Sequence, residues 1–173
     1  AAEALQWGGD GPGIGGRRHE RIERPLVGRG GDDQGGPAHK LVAVARNNGA
    51  ALWASAVALP HGTTELERIA DVASDPVVEA GAICAVAYQG RAACFDSNTG
   101  NTLWSRDMSS SAGLDIDSRY VYVTDDKGAV HALDRNSGAS IWKQDKLALR
   151  SLSRPLALSG GRVAVADYQG VVH

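Results

Sequence analysis

Long apolar runs are missing from this 173-residue chain. The longest, "AICAVAY" from Ala82 to Tyr88, falls far short of the ~20 residues that a membrane-spanning helix requires. A charge excess is missing as well. With 18 basic and 20 acidic residues and a pI near 6.2, no electrostatic footprint for a nucleic-acid backbone or an anionic bilayer is present, which argues against nucleic acid as a partner. Helical periodicity is almost absent: one short segment apart, no dozen residues hold apolar side chains at a 3.6 period. The remaining expectation is an all-β chain with one domain's worth of core.

Catalytic patterns are also lacking. The five histidines (His19, His39, His61, His131, His173) have no HxxxH or Cys partner at ligand spacing, and no GxSxG elbow occurs. Neither a metal site nor a cofactor site is expected. Asp115 and Asp117 lie on one strand face ~7 Å apart by strand rise, a separation that glycosidases use. Nothing nearby would raise one pKa above the other, so a solvated strand edge is the better reading. Gly11, Gly13 and Gly16 in "GPGIGG" match GxGxxG formally, but no strand precedes them and Pro12 interrupts, so composition explains the match. Only two cysteines occur. If the turn between their strands centres on Gln89 and Gly90, position 84 faces 95, Cys84 and Cys94 point to opposite faces, and two buried free thiols are expected.

What the chain does contain begins with a break in composition. Residues 1–38 hold half of the 22 glycines, with Arg pairs between them and no period; the segment reads as loop, disorder or out-of-frame translation. From Lys40 onward, alternation takes over, as in "RYVYVTDD" (Arg119 to Asp126). "FDSNTGNTLW" (Phe95 to Trp104) returns 38 residues later as "LDRNSGASIW" (Leu133 to Trp142), and an eroded copy, "VARNNGAALW", runs from Val44 to Trp53. Each full unit reads as four strands. A period near 40 with four strands per unit marks a β-propeller blade. The expected divisions are a part blade over 39–60, full blades over 75–108 and 112–145, and a truncated blade over 154–173. The start at Ala1 and the stop inside a strand read as a fragment.

The turn chemistry is specific. Asp96 and Asp134 end a strand, where a carboxylate accepts from backbone N–H groups two or three residues ahead; Asn98 and Asn136 tolerate the left-handed region, and Gly100 and Gly138 adopt positive φ without a Cβ clash. In the first copy Arg46 replaces the Asp, while Asn48 and Gly49 remain. Four residues beyond each Gly stands Trp53, Trp104 or Trp142, expected to act as a repeated packing staple on the outermost strand. Burying one indole removes ~150–250 Å² from water.

"QGRAACFDSNTGNTLW" and "KGAVHALDRNSGASIW" resemble the pyrroloquinoline-quinone-like propeller repeat, which serves both dehydrogenases and proteins without a cofactor. "HGTTELERIADVASDPVV", His61 to Val78, narrows the choice, because it resembles the linker of the outer-membrane assembly factor BamB family. That resemblance implies a larger ring of about eight blades and a non-enzymatic, lipid-anchored scaffold on the periplasmic side of the outer membrane. The partners it implies are the periplasmic domains of the barrel subunit and unfolded outer-membrane proteins. The competing class is a quinone-dependent dehydrogenase or small-ligand-binding propeller, whose adjacent cysteines and calcium ligands are not found here. Read from its residues, the insertion is a short helix candidate with Thr64 and Glu67 at capping-box spacing and Leu66, Ile69, Ala70 and Ala73 on one stripe. Glu65, Arg68 and Asp71 stay off the stripe and are the candidate partner-binding residues; a merely solvated face is the alternative.

Overall fold

The computed structural model describes residues 26–30, 40–57 and 74–173. Their thirteen strands form four antiparallel sheets in chain order. The first holds β1 (Leu26–Gly30), β2 (Lys40–Val44) and β3 (Ala51–Ala56). The second holds β4 (Val77–Glu79), β5 (Ala82–Val86), β6 (Arg91–Asp96) and β7 (Thr102–Asp107). The third holds β8 (Gly113–Ile116), β9 (Tyr120–Thr124), β10 (Val130–Asp134) and β11 (Ser140–Gln144). The fourth holds β12 (Leu156–Leu158) and β13 (Arg162–Ala164).

Each four-stranded sheet is a simple meander in which every strand pairs with its sequence neighbour, the layout of a propeller blade. The two complete sheets run from Val77 to Asp107 and from Gly113 to Gln144. Along β5 and β6 of the second sheet, side chains alternate by destination. Ile83, Ala85, Ala93 and Phe95 turn back onto Leu41 of β2 and onto Val57, just past the end of β3, whereas Cys84, Val86, Ala92 and Cys94 turn forward onto Leu114, Ile116, Val121, Val123 and Leu133 of the third sheet. Strands β5 and β6 are therefore apolar on both faces, because a blade inside a stack has no solvent side.

Three expectations need correction. Strand β1 pairs with β2 from Leu26↔Val44 to Gly30↔Lys40 inside the segment expected to be irregular; this pairing uses only backbone groups, which a Gly-rich strand supplies without an apolar alternation to announce it. Cys84 and Cys94 are not free thiols. They face each other in register and form a disulfide, Cα–Cα 4.1 Å. The β5–β6 turn has three residues, Tyr88 to Gly90, with the Ala87 N–H donating to the Arg91 carbonyl at 3.1 Å and Gln89 at φ +50°; one residue more than a two-residue turn shifts the whole register by one.

The third correction concerns the repeated turn. It closes with the glycine N–H donating to a carbonyl four residues back, from Gly100 to Asp96 and from Gly138 to Asp134, and in the first copy from Gly49 to Ala45. Ala45, not Arg46, thus occupies the acidic position. Only the glycine of each turn takes positive φ, at +70°, +72° and +69° for Gly49, Gly100 and Gly138; Asn98 and Asn136 do not. The turn is one right-handed loop of backbone ended by a single left-handed residue.

Candidate functional site

Asp96 Oδ1 accepts from the N–H groups of Asn98 (3.0 Å) and Thr99 (2.8 Å) and from the Thr99 hydroxyl (3.0 Å). Asp134 Oδ1 repeats the pattern with Asn136 (3.1 Å), Ser137 N–H (2.9 Å) and Ser137 Oγ (2.8 Å). These bonds favour the ionised form. The Thr99 N–H chiefly holds Asp96, and the Ser137 hydroxyl chiefly holds Asp134, below the ordinary carboxylate value of 3.8.

Each such turn receives the tryptophan of the preceding blade. The Trp53 indole N–H donates to the Ser97 carbonyl (3.1 Å), and its ring lies where a Cβ on Gly100 would sit, 2.6 Å away. Trp104 does the same to the Arg135 carbonyl (2.7 Å) and to Gly138, 2.5 Å from the missing Cβ. Two residues further along the same strands, Ser55 Oγ donates to the Gly100 carbonyl and Arg106 to the Gly138 carbonyl. The glycines are needed twice, for positive φ and for the approach of the ring. Trp142 is placed differently. It is 40% exposed and meets Tyr122 at 6.1 Å between ring centroids rather than a turn, while Gly49 has nothing within 4 Å of its missing Cβ.

A second repeated device escaped the sequence reading. Asp125 Oδ1 accepts from the Lys127 and Ala129 N–H groups, while Oδ2 pairs with His131 Nε2 at 2.8 Å. Asp167 repeats this with Gln169, Val171 and His173 Nε2 at 3.0 Å, and adds Arg150 at 3.1 Å. Burial opposes ionisation of Asp125, but the Ala129 N–H and His131 outweigh it; at Asp167 the His173 bond leads, and both carboxyls are held below the ordinary range. The available signal was Asp-x-x-Gly-x-x-His at identical spacing. In the second blade Ala87 and Ala93 stand at the acid and imidazole positions.

Asp115 and Asp117 turn to partners within the fold rather than standing on the solvated strand edge expected of them. Asp115 accepts from the Ala157 N–H (2.7 Å) and faces Arg154 (3.7 Å), and Asp117 takes the Tyr122 hydroxyl at 2.9 Å. Among the described residues, no three His, Cys, Asp or Glu side chains gather closely enough to hold a metal.

Because every sheet is an antiparallel meander, the β5–β6 and β9–β10 turns lie at the same end as the β3–β4, β7–β8 and β11–β12 connections. At that end the Gln89 N–H donates to Ser109 Oγ (2.8 Å), Ser109 donates to Asp126, and Asp126 also takes both Ser111 N–H and Oγ at 2.7 Å. A cleft of about 420 Å³ opens beside it between Ser111, Asp126, Lys127, Leu149 and Leu152. The β3–β4 connection leaves this end from buried Val57 and re-enters at buried Ser74, whose Cβ would meet a Cβ on Gly113 at 2.8 Å. Glu65, Arg68, Asp71 and the helix candidate around them lie outside the described residues.

The family model for outer membrane protein assembly factor BamB matches residues 30–144. This chain belongs to the BamB family. BamB of Bordetella pertussis is 44% identical over 138 residues, and BamB of Nitrosomonas eutropha is 45% identical over 144. Those alignments take in 79% and 83% of this chain but 36% and 35% of the relatives, so the chain spans about a third of their length. The crystal structure of BamB from Moraxella catarrhalis superposes with a TM-score of 0.71 at 31% identity, covering 78% of this chain and 40% of that one. The four sheets are thus consecutive parts of a BamB propeller, of which this chain is a fragment.

Proposed function

We propose that the protein containing this chain is a non-enzymatic scaffold of outer-membrane β-barrel assembly. It works on the periplasmic side, lipid-anchored in its longer form, where it contacts the barrel subunit's periplasmic domains and unfolded outer-membrane proteins. The observation that carries this reading is the match of residues 30–144 to a family described as outer membrane protein assembly factors. Two features support it. Asp96, Asp115, Asp117, Asp125, Asp134 and Asp167 are committed to turns, histidines and neighbouring strands, which suits holding the fold better than proton transfer. The Cys84–Cys94 bond suits a compartment that is oxidising.

Within this reading, Glu65, Arg68 and Asp71 form the contact to the barrel subunit, on the connection that stretches the tryptophan spacing from 38 residues to 51. The triple charge reversal E65K/R68E/D71K, made in the longer protein, is expected to weaken copurification with the barrel subunit and leave Tm unchanged. Undiminished copurification would remove this segment from the interface.

A further inference from the structure

The position of the Cys84–Cys94 bond constrains when it can be made. The Ala87 N–H donates to the Arg91 carbonyl at one end of the β5–β6 ladder, and the Ser97 N–H donates to the Gly81 carbonyl at the other. Bonded and non-bonded pairs alternate along an antiparallel ladder, so both ends place Cys84 opposite Cys94 in a non-bonded pair, the narrow kind in which side chains stand closest. The observed register and Cα–Cα distance of 4.1 Å agree. The hairpin therefore brings the two sulfurs together by itself, with a sequence separation of only 10 residues.

Access is the opposite matter. Both cysteines are 0% exposed, in one apolar cluster with Trp104 of their own blade and Leu114, Val121, Val123 and Leu133 of the next. Thiol–disulfide exchange needs an incoming sulfur to reach the sulfur it attacks. Once β8 to β11 have packed on the second blade, no path for another sulfur remains.

We propose that Cys84 and Cys94 are oxidised by an external disulfide while the β5–β6 hairpin is still uncovered, and that docking of the following blade then seals the bond against reduction. The oxidant is a disulfide-bearing oxidoreductase or a small disulfide such as oxidised glutathione, and the chemistry is the same for both. One cysteine thiolate attacks the oxidant's disulfide, forming a mixed disulfide and expelling a thiolate. The second cysteine then attacks the chain's sulfur in that mixed disulfide, closing Cys84–Cys94 and releasing the oxidant's other thiolate. Two electrons and two protons leave the chain, and the oxidant departs as two thiols.

The test uses the full 173-residue chain and counts alkylatable thiols in denaturant by intact mass. With oxidised glutathione present during refolding from urea, the expected count falls to zero, and thiols remaining at refolding equilibrium would overturn the proposal. The oxidised, folded chain is then exposed to dithiothreitol without denaturant and compared with the same chain in urea. Reduction at least about tenfold slower in the folded chain is expected, limited by opening of the blades, and equal rates would overturn the seal. This second arm needs only the oxidised chain, so it holds even where the reduced chain does not fold. Repeating it with an equimolar dithiol oxidoreductase in place of dithiothreitol separates the two classes of exchange partner; fast reduction by the enzyme alone would also overturn the seal.

Discussion

At the scale of single residues, Gly100 and Gly138 differ from Gly49 in a way that positive φ alone does not capture. All three are left-handed, but only the first two carry an indole in the space of a Cβ. A side chain at left-handed φ costs about 1–2 kcal/mol, and forcing volume into a filled contact adds about 1–3 kcal/mol. G138A is therefore expected to destabilise the chain by about 2–5 kcal/mol and G49A by only about 1–2 kcal/mol, read as the shift in a urea midpoint at constant m. Equal losses would show that the indole contact contributes nothing. The tryptophans follow the same logic. W104A empties a site that is 7% exposed and is expected to cost about 3–5 kcal/mol, whereas W142A, at a 40% exposed site, is expected to cost much less. The repeated motif alone could not distinguish these positions, because "TLW" and "SIW" look alike; what differs is whether a turn stands opposite.

At the scale of the element, four carboxylates hold four turns, and all are shifted in one direction. Asp96, Asp125, Asp134 and Asp167 have folded values below the ordinary 3.8. A depressed folded pKa means that the unfolded chain binds more protons in acid, so the stabilisation is complete above the ordinary value and is lost as pH falls through the folded ones. Tm is expected to hold steady from neutral pH to about 5 and to drop steeply below about 4. D134N should lower Tm at pH 7 and flatten that acid decline, and an unchanged slope would mean that the Ser137 and Asn136 bonds carry no charge dependence. Strand β9 and the turns at Gly100 and Gly138 were legible for a physical reason: alternation and turn residues are local signals, and these elements stand where those signals place them. Register was not local. The Cys84–Cys94 bond was misjudged through one extra residue in the Tyr88 to Gly90 turn, which leaves no mark in the alternation. The Asp–His pairs were missed because histidines were compared with metal-ligand spacings, although the pattern at Asp125 and His131 recurs at Asp167 and His173.

At the scale of the whole molecule, the blades are adhesive along a line. The first and second sheets each give a tryptophan, Trp53 and Trp104, to the next turn and a forward face to the next sheet, so stability is distributed as neighbour contacts. Beside the third blade, where only the two-stranded β12–β13 sheet follows among the described residues, part of that contact surface stands open. Every residue of β11 is exposed, Ile141 to 49%, and an apolar cleft of about 440 Å³ between Val130, Trp142, Leu147, Val163 and Val165 borders it. A long exposed strand edge beside an apolar cleft is a template for pairing with another chain. The 173-residue chain is therefore expected to self-associate, with a sedimentation coefficient that rises with protein concentration. I141K places a charge on that edge and is expected to return the chain toward monomer while leaving the far-ultraviolet spectrum unchanged. A sharp, reversible two-state melt of the unmodified chain as a monomer would overturn this, because it would mean that four sheets satisfy themselves without the further blade contacts that Trp53 and Trp104 show to be the rule.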